Sequence, residues 1–342
     1  MKGVLSGKVI LVTGGTGSIG SETVRQALEQ GANKVIVFSR GEIKHFLMKK
    51  RLSDDRLETA VGDVRDFRSI ERVFSRFDID LIYHAAAMKH VTMCEEFPEE
   101  AVKTNVLGTR NIVDLAVKYE VPKLITISTD EAAYAVNVMG ATKFIAERIT
   151  LNANEISKDD QAFSCVRFGN VASSHGSVIP VFIDNLLNHK PLQVTDSRII
   201  RFVMEIPDAV KLIIKATEHT QGGEIFILKM KAFKLGDLVD VIVERVAPRL
   251  AISPESIQVK VTGLELGEKV HEDLINETET ARIYELDDMY VVLPDNQPYG
   301  KYPAISKVSL SRYTSGDVEL LSEQEIEEIV LKYLKNRLLN SY

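Results

Sequence analysis

The chain has 342 residues, 45% of them hydrophobic and 27% charged, so it can build two lobes around a sizeable buried core. Forty-two Lys plus Arg against 49 Asp plus Glu give a net charge of −7 with no long basic run, which argues against a general nucleic-acid or membrane-surface binder. Cys94 and Cys165 lack CxxC or Cys/His metal spacing and read as buried thiols of a reducing cytoplasm; no apolar stretch of about 18 residues occurs, so neither a signal peptide nor a membrane span is expected.

Residues 8–13 (KVILVT) form an apolar run of the kind found in a parallel strand covered on both faces, and it leads into GGTGSIG. Gly14, Gly17 and Gly20 allow a tight turn, close approach to a pyrophosphate and close helix packing, while a helix starting at about Ser18 points its N-terminus at the negative charge. Thr16, Ser18 and Ile19 complete this dinucleotide loop, and 22–30 continues as an amphipathic helix.

The second strand, 35–38, ends in Ser39 and Arg40 where a ribose-binding acid usually stands. A hydroxyl and a guanidinium favour the 2′-phosphate of NADP over NAD; otherwise Arg40 is simply a solvated residue at a helix start. A third strand, 57–61, leads to Asp63 and Val64, with Asp63 placed to accept from an adenine amino group and Asp66 reading as a helix N-cap. The fourth strand, 80–84, opens into Ala85, Ala86 and Ala87, against which a cofactor can lie, and then into Lys89 and His90 at the carboxyl edge of the sheet. His84 reads as a satisfied strand-end histidine.

A long helix is expected over 99–119, with Asn105 on its mostly apolar face. The fifth strand, 123–127, delivers 128–143 (STDEAAYAVNVMGATK), which gathers Asp130, Glu131, Tyr134 and Lys143 into one turn and the start of a helix. Residues 162–167 form a sixth strand. The alternation implies an α/β fold, a Rossmann-type doubly wound parallel sheet over 1–168, with a smaller C-terminal substrate lobe over 169–342 from which 202–217 returns to the first domain. His175, His189, His219 and His271 have no metal-ligand spacing, and no metal is expected.

The series VTGGTGSIGSE, FSR, VGDVRD, HAAAMKHV, TNVLGT, NVMGATK, VRFGNV, GSVIPVF, VTD, GGEIFILKM and GEKVHEDL resembles the UDP-N-acetylglucosamine 4,6-dehydratase group of the extended short-chain dehydrogenase/reductase superfamily. The resemblance implies a cytoplasmic, homo-oligomeric lyase with tightly bound NADP. In such an enzyme a hydride leaves sugar C4, water is lost across C5 and C6, and the hydride returns to C6. By position, Asp130 and Glu131 would be acid and base, Thr129 would orient the sugar, and Lys143 would bind the nicotinamide ribose. Substrate contacts would come from Lys89, His90, Asn170, Val178, Thr195, Arg201 (to the diphosphate) and Glu268 (to the uridine ribose), with Lys229 either a further such cation or a solvated strand-end lysine.

Three positions depart from the group's pattern. Met139 replaces the superfamily's tyrosine, Glu131 replaces a common lysine, and Tyr134-Ala135 replaces a usual Asn-Pro. A phenol at 134 would either substitute for the missing tyrosine or pack in the loop. A UDP-sugar epimerase, a 5,6-dehydratase or a non-catalytic nucleotide-sugar binder is the alternative to the dehydratase.

Overall fold

The computed structural model describes residues 3–174, 176–264, 267–295, 302 and 305–339, so His175 lies outside the described residues. Strands and helices alternate from the start: β1 Val9–Thr13, α1 Ser18–Glu29, β2 Lys34–Ser39, α2 Glu42–Leu52, β3 Leu57–Val61, α3 Phe67–Phe74 and β4 Leu81–His84. There follow α4 Val91–Glu96, α5 Pro98–Ala101, α6 Gly108–Lys118, β5 Lys123–Ile127, α7 Val138–Asn152 and β6 Ala162–Arg167. β1, β4, β5 and β6 are almost wholly buried because helices cover both faces, whereas the edge strand β3 is only partly covered.

The sheet runs β3-β2-β1-β4-β5-β6 and then Ile225–Leu228, all parallel, and is extended by the antiparallel strands Met289–Val292, Ile283–Leu286 and Ser306–Lys307. The strand order reverses at β1, whose Thr13 pairs with Phe38 on one side and His84 on the other, which places the carboxyl-end crevice above Gly14 and Ala85. Leu11, Ile36, Phe38, Ile82, Leu124 and Phe163 anchor the core beneath it.

The chain divides into two compact units. The first comprises Met1–Phe168, Pro207–Lys229 and Leu274–Arg312; the second comprises Gly169–Ile206, Met230–Asp273 and Tyr313–Tyr342. The sequence reading puts 218–229 and 274–312 in the substrate lobe, but here both belong to the first unit, together with most of 202–217. Their strands are short, and the antiparallel pairs close through a tight turn at Asp287, so the βα alternation that announces a Rossmann unit gives no sign of them. In the second unit, the strands Asn170–Ala172, Ile200–Glu205 and Lys231–Lys234 and the helices Val178–Leu187, Leu235–Val241 and Glu323–Leu339 enclose Phe182, Ile183, Leu238, Ile242 and Val330.

One expected element differs. The helix expected over 99–119 contains a π-helical stretch, Val102–Leu107, between α5 and α6. Asn105 lies in that stretch. Among the described residues, no helix is long and apolar enough to cross a membrane.

Candidate active site

The turn after β1 is shaped by its glycines. Gly14 has φ +64, and a Cβ there would lie 2.7 Å from Ala86 N; a Cβ on Gly20 would lie 2.3 Å from Gly14 O. Gly17 is the N-cap of α1, which has neither a side-chain cap nor an acidic residue in its first turn. An uncapped helix start behind a bare backbone turn fits the pyrophosphate of a dinucleotide. Thr16 Oγ1 is 2.9 Å from Ser39 Oγ at the end of β2, and Arg40 beside it is exposed. Ala85 N donates to Thr13 O, and the backbone of Ala85 and Ala86 lies against Gly14.

Asp63 is held by its neighbour. Arg65 donates to it from Nε at 2.9 Å, from Nη2 at 2.6 Å and from the backbone at 3.0 Å. Val64 is buried against Gly108, where a Cβ would come within 2.7 Å of it, so the Gly108 position lets α6 approach the loop. Asp66 caps α3 by accepting from Arg68 N and Ser69 N, as expected.

His84 is fully buried between two hydroxyls, with Nδ1 2.6 Å from Thr13 Oγ1 and Nε2 3.0 Å from Thr109 Oγ1. Burial first, and the Lys143 charge second, push its pKa down to about 3, so it is a neutral structural bridge, in keeping with the sequence reading. Past it, Asn105 accepts from Met88 N at 2.7 Å and donates to Met88 O and to Thr142 Oγ1, both at 3.0 Å. The π-helical stretch thereby ties the loop after β4 to α7. Lys89 and His90 follow and are exposed at the residue level; partial burial lowers the pKa of each.

The acid-rich stretch is fastened along the end of β5. Ser128 N donates to Val166 O and Asp130 N to Phe168 O. The buried Ser128 hydroxyl has no hydrogen-bond partner among the described residues, which leaves a polar atom for a ligand at the strand end. Asp130 is buried, and its Oδ1 accepts from Thr129 Oγ1 at 2.7 Å and from Glu131 N at 3.0 Å. Glu131 Oε2 accepts from Asn137 Nδ2 at 3.0 Å, while Asn137 Oδ1 caps α7 through Gly140 N at 2.8 Å. A Cβ on Gly140 would meet Glu131 O at 2.5 Å, so only glycine allows this close packing of α7 on the acid turn.

Lys143, one turn further along α7, is buried and donates to Ile127 O at 2.6 Å. Burial lowers its pKa, against the opposing pull of Glu147. Glu147 belongs to a buried ion cluster in which Arg167 on β6 bonds both Glu147 and Glu279 at 2.8–3.0 Å and also donates to Leu274 O. Asn276, from the same segment as Glu279, donates to Ala133 O at 3.1 Å, just past the acid pair.

The two remaining sequence candidates in this stretch differ in burial. Met139 is 5% exposed and packs with Cys94 and Ala101, whereas Tyr134 is 59% exposed. Both cysteines are buried thiols.

In the second unit, Thr195 Oγ1 donates to Glu268 Oε1 at 3.1 Å, and Arg201 Nη2 lies 3.5 Å from Glu268 Oε1 and 3.6 Å from Glu272 Oε1. Three candidates, Thr195, Arg201 and Glu268, are thus brought together, with Arg201 and Glu268 paired to each other. Val178 begins a helix packed on the unit's core, and Asn170 is exposed at a strand start. Lys229, in the first unit, is engaged by Glu285 and by Asp287 O, so it is not a solvated strand-end lysine. Among the described residues, no cluster of three or more His, Cys, Asp or Glu could hold a metal.

The sequence reading missed His45, Asn137, Glu147, Arg167, Asn276 and Glu279. Asn137 carried a local signal, an asparagine directly before a helical apolar pattern; His45 bonds Ser39 six residues before it, and the others act through partners remote in the chain.

Residues 10–294 match the family described as polysaccharide biosynthesis protein. A protein of Methanocaldococcus jannaschii described as an uncharacterized membrane protein is 43% identical over 94% of this chain and 95% of its own length. The UDP-N-acetylglucosamine 4,6-dehydratase (inverting) of Campylobacter jejuni is 37% identical over 85% and 84%, and the UDP-glucose 4-epimerase of Rickettsia canadensis 34% over 98% and 99%. The X-ray structure of Pen from Bacillus thuringiensis superposes with a TM-score of 0.88 at 36% identity, covering 97% of this chain and 99% of that one.

Proposed function

The chain belongs to the polysaccharide biosynthesis protein family of extended short-chain dehydrogenase/reductases, and from that membership we propose that it is an NADP-dependent UDP-N-acetylglucosamine 4,6-dehydratase. The observation that carries this reading is the Asp130–Glu131 pair, held at the end of β5 beside the buried Lys143. Elimination of water across C5–C6 needs an acid for the C6 oxygen and a base for the C5 proton, whereas epimerisation at C4 needs no elimination base.

A bound nicotinamide dinucleotide would supply the reversible hydride acceptor that makes C5 acidic through a C4 ketone. The glycine turn, the start of α1 and Ala85–Ala87 would seat it, with Ser39 and Arg40 at the 2′-phosphate, Asp63 and Val64 at the adenine side and Lys143 at the nicotinamide ribose. The ammonium of Lys143, fixed by Ile127 O, favours loss of the C4 hydroxyl proton electrostatically. Glu131, oriented by Asn137, takes the C5 proton, and Asp130 gives a proton to the departing C6 oxygen. Thr129 aligns Asp130, and Asn170, Val178, Thr195, Arg201, Glu268, Lys89 and His90 would bind the UDP-sugar. Apolar side chains exposed along α4–α7, among them Phe97, Val102, Leu107, Phe144 and Ile145, support a homo-oligomer, and we place the enzyme in the cytoplasm.

A C4 epimerase is the second reading, favoured by full-length relatives of that name. Incubation with UDP-N-acetylglucosamine in D₂O followed by NMR separates the two. A 4-keto-6-deoxy product with deuterium at C5 supports the dehydratase; a C4 epimer with unlabelled C5 supports the epimerase; and unchanged substrate refutes both.

A further inference from the structure

Behind the Thr16–Ser39 pair stands a histidine that the scheme above leaves without a task. His45 Nε2, on α2, lies 2.8 Å from Ser39 Oγ and 3.1 Å from Ser39 O. His45 is 3% exposed, and its Nδ1 is buried with no hydrogen-bond partner among the described residues. A carbonyl oxygen can only accept, so the ring hydrogen sits on Nε2. Moving it to Nδ1 would bury an unpaired donor, and adding a second proton would bury an unpaired charge. Burial accordingly lowers the ring's pKa below its ordinary 6.5, against the pull of Ser39 O.

This tautomer fixes the polarity of the two hydroxyls. The ring N–H, the Ser39 O–H and the Thr16 O–H bring three hydrogens; one is used between the ring and Ser39 and one between the two hydroxyls, 2.9 Å apart. The third is left to face outward. With the opposite tautomer, Ser39 would donate to the ring and Thr16 to Ser39, and the pair would offer lone pairs only. A phosphate monoester has acceptor oxygens alone, whereas a ribose 2′-hydroxyl can itself donate. We propose that His45 is a specificity-determining positioning residue: by donating to Ser39 it makes the Ser39–Thr16 pair a hydrogen-bond donor matched to a 2′-phosphate, with exposed Arg40 adding charge. This rests on the NADP reading above.

The test uses the full chain freed of nucleotide, with adenosine 2′,5′-bisphosphate and adenosine 5′-monophosphate as calorimetric probes. The wild type is expected to prefer the bisphosphate, and His45→Met to cut that preference about tenfold, the scale of one hydrogen bond to a charged group, while leaving the monophosphate affinity unchanged. His45→Gln, whose amide can donate to Ser39, should restore most of it. Ser39→Ala should lose as much as His45→Met, and the double variant no more. ¹⁵N NMR of the wild-type histidines should show the His45 hydrogen on Nε2, a readout that stands even if His45→Met fails to fold. A wild type that does not distinguish the probes refutes the NADP reading and this proposal together. A wild-type preference that survives His45→Met, or a hydrogen found on Nδ1, overturns the role of His45 alone.

Discussion

Asn137 Nδ2 donates to Glu131 Oε2 at 3.0 Å with the same side chain whose Oδ1 caps α7 through Gly140 N. One residue therefore sets both the start of the helix that carries Lys143 and the position of the carboxylate proposed to remove the C5 proton. Replacement by aspartate separates these duties, because a carboxylate can still cap but cannot donate, and it sets a like charge beside Glu131. Asn137→Asp should unfold within about 0.5 kcal/mol of the wild type in denaturant, whereas Asn137→Ala loses about 1 kcal/mol with the cap. Both should slow dehydration. Full activity in Asn137→Asp would disconnect Asn137 from Glu131's role.

Glu131→Gln keeps the side-chain length and removes the base. Single-turnover absorbance should still show cofactor reduction by UDP-N-acetylglucosamine, while release of the 6-deoxy product falls on the order of 10²–10⁴-fold, the usual worth of a general base. Unchanged product formation would take Glu131 out of the mechanism.

His84 gives the fold a pH dependence whose sign follows from its burial. Unfolded, the ring takes its proton near pH 6.5; folded, it does so only near pH 3. Between these values the unfolded state binds the extra proton, so this contribution to stability is intact above pH 6.5 and is lost as the pH falls, by at most about 1.4 kcal/mol per pH unit. Denaturant midpoints from pH 7 down to pH 4 should therefore fall less steeply for His84→Gln than for the wild type. Parallel slopes would show that His84 is not the titrating group.

Arg167 lies between Glu147 and Glu279, and all three side chains are fully buried. Arg167→Met leaves two carboxylates without their cation and should cost about 3–5 kcal/mol in urea unfolding. Replacing the whole cluster, Glu147→Gln and Glu279→Gln together with Arg167→Met, should cost less than the single change, because the two fully buried carboxylates are then neutral as well. A single variant as stable as the wild type would mean that the cluster does not hold β6, α7 and the 274–282 segment together.

What the sequence determined by itself is whatever follows from neighbours in the chain. The apolar run before Gly14 has to be a covered strand, Gly14 and Gly20 have to be glycine because a Cβ would strike backbone, and Asp66 caps the helix that starts one residue later. The absence of an acid after β2 and the Asp130–Glu131 pair were visible for the same reason. Tertiary structure alone decided how these parts are held. Glu279 reaches Arg167 across 112 residues and Asn276 reaches Ala133 across 143, and they do so from a segment whose short antiparallel strands carry no βα signature. It also decided that Tyr134 is exposed, that Arg201 and Glu268 face each other, and that His45 turns its Nε2 to Ser39. Capping, turns and strand burial are local free-energy choices written in adjacent residues. A buried charge or an imidazole tautomer is fixed by whichever group the fold brings to it, and no spacing in the chain records that group in advance.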